Sequence, residues 1–145
     1  MSNTGVTLIK IWEDENFFEI SLEVRSIFCI SEIKFYTDNS ELDELRQGLL
    51  LISSLSDNEY IWTSGEDKEN TTHYVQTRWY VQDKRGHIGV EFILDNKDSA
   101  PDKMRSHSFV VTELNQLDDF INQLQQFIKG KSNVIKGLLN SLGMI

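Results

Sequence analysis

The stretch "THYVQTRWYVQDKRGHIGVEFIL", residues 72–94, decides the fold. Two runs of alternating apolar residues flank a short break that contains a glycine, and side chains in a strand point alternately to opposite faces. The length of the break therefore fixes which residues meet. Val75, Thr77, Trp79 and Val81 must share a face with Ile88, Val90, Phe92 and Leu94. Only an even-numbered loop brings the two sets together. A four-residue loop, Asp83-Lys84-Arg85-Gly86, or a two-residue Arg85-Gly86 turn satisfies this, with Gly86 able to take a positive φ.

The other face of this hairpin collects Tyr74, Gln76, Arg78 and Tyr80 with His87 and Glu91. In the longer loop Glu91 faces Arg78; in the shorter turn it faces Tyr80. Neither register sets His87 against Glu91, which lie about 13 Å apart along an extended strand, too far to exchange a proton. Tyrosine, arginine, glutamine and histidine mixed on a rigid sheet suit recognition, because aromatic residues and arginine are enriched where proteins meet.

Working outward, "YIWT" at 60–63 is a short strand and "HSFVVT" at 107–112 a longer one, reached through a loop with the only proline. Residues 113–129 carry Leu114, Leu117, Ile121, Leu124 and Ile128 at helical spacing, with Phe120 and Phe127 beside them and Gly130 as the stop. The first half has the same order of events. Strands are expected over 6–12, 17–25 and 27–36, the last with apolar residues on both faces and hence a central place in the sheet. A helix over 40–53 follows, with Ser40 as N-cap, Asp43 as its reciprocal carboxylate, and Leu42, Leu45, Leu49 and Ile52 facing the sheet. In the tail, 131–145, Val134, Ile135, Leu138, Leu139 and Leu142 are spaced for a short helix packed on the domain. The expected fold is a single α+β domain over 1–145: antiparallel sheets in two strand-rich halves, each ending in an amphipathic helix, βββα-ββββα.

Composition narrows the function. The chain has 145 residues, 14 Lys+Arg and 23 Asp+Glu, a formal charge of −9. Residues 1–72 hold 15 of the acids and 5 of the bases, net −10, so the second half is net +1. Such a balance disfavours a phosphate-backbone partner and suits a basic protein. The runs Glu13-Asp14-Glu15 and Glu66-Asp67 with Glu69 are the candidate acidic contacts. One cysteine, Cys29, sits in an apolar run and excludes an intrachain disulfide; a buried thiol and a reducing compartment are expected. The N-terminal stretch lacks the pattern of a signal peptide and no window reaches the ~18 apolar residues of a membrane span, so a cytoplasmic protein is expected. Three histidines without shared short spacing give no metal signature, and neither Cys29 nor Ser108 has a base adjacent in sequence. No catalytic residue, metal or cofactor is assigned, and no enzyme activity is expected.

The series "EYIWTSGEDKENTTHYVQTRWYVQDKRGHIGVEFIL", followed by "HSFVVTELNQLDDFINQLQQFI", resembles small bacterial immunity proteins, the cognate inhibitors of contact-dependent or polymorphic toxins. The carriers of the resemblance are the aromatic-rich strand, the D-x-x-G-H-I hairpin, and the ending of strand, Thr-Glu and amphipathic helix, over residues 59–128. It implies a cytoplasmic antitoxin that binds a toxin domain, often a nuclease, and covers its active site or substrate groove. The order of elements also resembles the Whirly-type architecture, whose members bind nucleic acid, but the acidic first half departs from that pattern. Two alternatives stand beside the immunity reading: a single-stranded nucleic-acid module using Arg78, Lys84 and Arg85, and a small-ligand domain with a pocket lined by His87 or Glu91.

Overall fold

Residues 3–141 are described by a computed structural model. Strands β1 (Asn3–Glu13), β2 (Phe18–Arg25) and β3 (Ile30–Thr37) precede helix α1 (Asn39–Ser53). Strands β4 (Glu59–Gly65), β5 (Tyr74–Val81), β6 (His87–Asp95) and β7 (Arg105–Glu113) precede helix α2 (Leu114–Ile128), and β8 (Val134–Ser141) follows it. The order βββα-ββββα of an α+β domain is therefore present, with one strand added at its end. Two four-stranded antiparallel sheets result: sheet A, ordered β3-β2-β1-β8, and sheet B, ordered β4-β5-β6-β7.

The β5–β6 hairpin takes the four-residue loop, with Arg78 opposite Glu91, Trp79 opposite Val90 and Val81 opposite Ile88. Gln82 N–H donates to the His87 carbonyl at 2.9 Å, and Gly86 takes φ +89°. The inner faces of both sheets and the two helices close one core. Sheet A contributes Ile20, Leu22 and Val24; sheet B contributes Val75, Trp79, Val90 and Phe92. Leu42, Leu45, Leu49 and Ile52 of α1 are all buried, as are Leu117, Phe120, Ile121, Leu124 and Phe127 of α2, as helical spacing requires. The Trp79 ring packs on Phe120 at 5.6 Å and Phe92 at 6.5 Å between centroids, and its Nε1–H donates to Thr77 Oγ1 at 2.7 Å.

Several expectations are corrected. The N-cap of α1 is Asp38, whose Oδ1 accepts from the Glu41 N–H at 2.8 Å, and Asp43 instead bonds Arg46 and Gln47. Strand β3 lies at a sheet edge and begins at Ile30. Residues 26–29 form the turn before it, closed by Ser26 N–H to the Cys29 carbonyl at 2.9 Å, so Cys29 is exposed. The apolar residues of this stretch that were expected to need a second buried face stand in solvent, with Phe28 95% exposed.

The tail is a strand rather than a helix over 134–141; Leu142 lies outside the described residues. Its pairing with β1 slips between Thr4 and Val6, so that extra residues of β8 stand opposite Gly5. A Cβ at Gly5 would sit 2.9 Å from the Gly137 carbonyl oxygen, so the bulge needs glycine there. Buried Ile135 and Leu138 thereby share the inner face three residues apart, a spacing that mimics a helix.

Trp79→Ala is expected to lower unfolding free energy by about 3–5 kcal/mol, the range for deleting a buried aromatic side chain. Phe28→Ala should stay within about 0.5 kcal/mol, as surface substitutions do. Urea denaturation of the two variants checks both, and native Cys29 should react fully with a thiol reagent without denaturant.

Candidate functional site

The outer face of sheet B holds the hairpin residues singled out above. Arg78 is its hub: Nε donates to Glu91 Oε1 at 2.6 Å, Nη1 to Glu59 Oε2 at 3.1 Å, and the guanidinium lies 4.5 Å from the Tyr80 ring centre. Tyr80 in turn covers Gly89, where a Cβ would meet its ring at 2.2 Å. Tyr74 O–H donates to Gln76 Oε1 at 2.6 Å. Glu91 does meet a histidine, but it is His107, two strands from Arg78, with Nε2 at 2.6 Å from Oε2. The hydrogen bonds from Arg78 and then His107 hold the Glu91 carboxyl below its ordinary range. His87 belongs to its own turn, with Nδ1 at 2.6 Å from Asp83 Oδ2 and its N–H on Asp83 Oδ1. These groups satisfy one another, so the face is a braced sheet surface rather than a set of unpaired recognition groups. Of the three bases named for a nucleic-acid reading, Arg78, Lys84 and Arg85, the first is already held by two glutamates.

The two acidic runs differ in the same way. Asp67 is clasped by Arg105, with Nη1 and Nη2 at 2.9 and 3.1 Å, and by Lys97 Nζ at 2.7 Å. The Arg105 hydrogen bonds, then that of Lys97, hold its carboxyl far below the usual range. Buried Asp95 accepts from Arg105 and the Lys97 N–H and completes the clasp. Glu66 pairs with Lys68 at 2.6 Å, and Glu69 is exposed. Asp67 thus ties loop 66–73 to β6 and β7, and Glu69 is the acid of this run without an ion pair among the described residues.

The run at 13–15 is open, and it borders a feature that charge and alternation did not reveal. Pairing of β1 with β2 slips between Lys10 and Trp12, leaving Ile11 as the extra residue. Lys10 accordingly points inward, its Nζ 4.7 Å from the Phe18 ring centre, while Trp12 is turned to the outer face. There it joins Phe17 at 5.7 Å and Tyr36 at 6.3 Å between centroids, and Phe17 and Tyr36 stand 5.5 Å apart, edge to face. Trp12, Phe17 and Tyr36 remain 49%, 40% and 52% exposed, and Ile11 beside them 47%. Asp14 Oδ1 caps the turn by accepting from the Asn16 and Phe17 N–H groups at 2.8 and 3.0 Å. Glu13 is engaged only by Lys10 at 3.3 Å, and Glu15 and Glu19 have no ion pair among the described residues. An aromatic platform rimmed by carboxylates is the candidate site. Sequence supplied its acids; the signal for its rings was the pair Trp12 and Phe17 bracketing a turn, legible only once the bulge is known.

One nucleophile–base pair is formed across the β4–β5 connection by residues not adjacent in sequence: Ser64 Oγ lies 2.9 Å from His73 Nε2. Ser64 is 2% exposed, and the imidazole is stacked against Phe35 at 5.1 Å, with Thr72 Oγ1 rather than a carboxylate on Nδ1. Burial pushes the His73 pKa down, and it pushes that of nearby Glu41 up, aided by Asp38. The pair braces sheet B against β3 and faces no enclosed space that would hold a substrate. The enclosed gap among the described residues, of about 30 Å³, is lined by core side chains such as Leu22, Trp79 and Phe120. Among those residues no group of three His, Cys, Asp or Glu converges as a metal site. No described helix is long and apolar enough to cross a membrane.

No family model matches this chain, and comparisons with curated proteins and with solved structures found no match either.

Because the folded Asp67 carboxyl titrates lower than in the unfolded chain, its contribution is complete above the unfolded value of about 3.9 and is lost as pH falls through that range. Asp67→Asn should therefore lower the urea midpoint at pH 7, with the gap to wild type closing at acid pH and shrinking with added salt. An equal gap at every pH would contradict the clasp.

Proposed function

We propose that this chain is an immunity protein: it binds a basic toxin domain, a nuclease, in the cytoplasm and covers the groove that the toxin uses for phosphates. The observation that carries the reading is the aromatic platform of Trp12, Phe17 and Tyr36, exposed on the face where Glu19 stands between Trp12 and Tyr36 and next to the turn that carries Glu15. Exposed aromatic rings packed on one another lose little freedom on binding, and residues of this type dominate the energy of protein interfaces. Carboxylates around them speed capture of a cationic partner and can stand where its substrate phosphates would. The resemblance over residues 59–128 points the same way. In this reading the acids at 13–15, with Glu19, are the electrostatic anchor, Asp67 and the sheet B face serve chiefly to hold the scaffold, and Glu66 and Glu69 are peripheral.

The test is co-expression with the product of the adjacent gene, followed by native co-purification. A 1:1 complex that protects the producing cell is expected. Trp12→Ala or Phe17→Ala should cost about 2 kcal/mol, some 30-fold in Kd. Glu15→Gln with Glu19→Gln should slow association and flatten its dependence on salt, while Ile61→Ala on sheet B leaves affinity unchanged. Loss of binding from Ile61→Ala with none from Trp12→Ala would overturn the assignment, as would failure to recover any partner.

A further inference from the structure

A sheet edge exposes backbone groups that can pair with another chain, and folded proteins guard such edges. Three of the four edges here are guarded. Along β4, Tyr60 and Trp62 donate to the Glu44 and Glu41 carbonyls of α1, which packs against the strand. Along β8, glutamines of α2 replace a neighbouring strand: Gln123 bonds the carbonyl and N–H of Lys136, and Gln116 the N–H of Leu139. On β3 the outward residues Glu32 and Lys34 supply charge.

Strand β7 has none of these devices along its middle. The Val111 carbonyl accepts from Asn140 Nδ2 at 3.0 Å, so it points away from β6. In an antiparallel strand alternate residues direct both backbone groups to the same side. The N–H and C=O of His107 and Phe109 therefore also point outward, and they meet no backbone partner among the described residues. They open onto a groove of about 310 Å³ between β7 and the turn 26–29. Ile27 and Phe28 form one wall and His107, Phe109 and Val111 the other. Ser108 also lines it, 6% exposed, with an Oγ that has no hydrogen-bond partner. In a chain with 23 acidic residues, no carboxylate, lysine or arginine side chain among the described residues lines this groove.

We infer that the β7 edge accepts an extended, uncharged segment of a partner protein, apolar at alternate positions, as a further strand of sheet B. Main-chain bonds to His107 and Phe109 hold it, side chains on one side pack on Phe109, and those on the other fill the space beside Phe28. The absence of charge selects against the cationic surface that suits the Trp12 platform. This strand site is independent of the immunity reading.

A displayed library of random peptides selected on the intact protein tests it. Enriched sequences should be uncharged and alternately apolar, and a synthetic copy should slow amide exchange at His107 and Phe109 by at least about tenfold. Methylating alternate amide nitrogens of the peptide should abolish binding. His107→Pro should do the same without breaking the β6 ladder, because the lost N–H faces outward, whereas His107→Ala should keep it. Phe28→Asp, on the far wall and outside any ladder, should weaken binding even if the proline variant fails to fold. Enrichment of Lys/Arg-rich peptides alone, protecting residues 11–19 and leaving exchange at His107 and Phe109 unchanged, would overturn the strand site while favouring the proposed function. Absence of enrichment, or equal binding of the methylated peptide, would also overturn it.

Discussion

Each of the two sheets has one face that must leave water, and the shared core where those faces meet governs everything else in the molecule. Trp79, Phe92 and Phe120 fill its centre, while Phe18 and Phe127 join sheet A to α2 with ring centroids 6.0 Å apart. Close packing of this kind leaves a gap of only about 30 Å³ among these side chains. The candidate contact groups accordingly lie on outer faces, edges and turns. The buried Ser64–His73 pair illustrates the constraint: in geometry it could activate a hydroxyl, yet its place in the wall between sheet B and β3 makes it a brace.

Two interruptions of strand alternation turn this scaffold into one with distinctive surfaces. At Ile11 the bulge rotates Trp12 out of the core and brings it beside Phe17 and Tyr36. Opposite Gly5 the bulge in β8 does the reverse and returns Leu138 to the interior. A bulge moves an entire face for one extra residue, which is why it can create a surface without disturbing the register of the remaining strands. The electrostatics sort the surfaces further. Asp67, Asp95 and Glu91 spend their charge on Arg105, Lys97 and Arg78, whereas Glu15 and Glu19 remain open beside the rings.

Much of the fold was legible because it depends on period alone. Val75, Trp79, Ile88 and Phe92 announced their shared face, and the stripes of α1 and α2 announced their docking sides. The failures have a common cause, since each needed knowledge of what lies across a strand. Cys29 and Phe28 look like core residues until the turn at 26–29 places them beyond the last pair of the β2–β3 hairpin. Val134 to Leu139 look helical because a bulge breaks their alternation. Spacing ruled out His87 as a partner of Glu91 and offered Arg78, which the hairpin supplies, but the second partner, His107, comes from the adjacent strand. Of the candidate contacts, the acids at 13–15 were found from composition, but their worth depends on rings that periodicity assigned to strands without a face.

In the proposed function, recognition falls to the acid-rimmed aromatic end of sheet A, with sheet B as a braced support. The most direct measurement is the hydrogen-exchange footprint of the native complex against the free chain. Slowed exchange concentrated in residues 11–19 and 34–37 is the predicted result. A footprint confined to the outer face of sheet B or to the helices, with exchange at Trp12 and Phe17 unchanged, would contradict it.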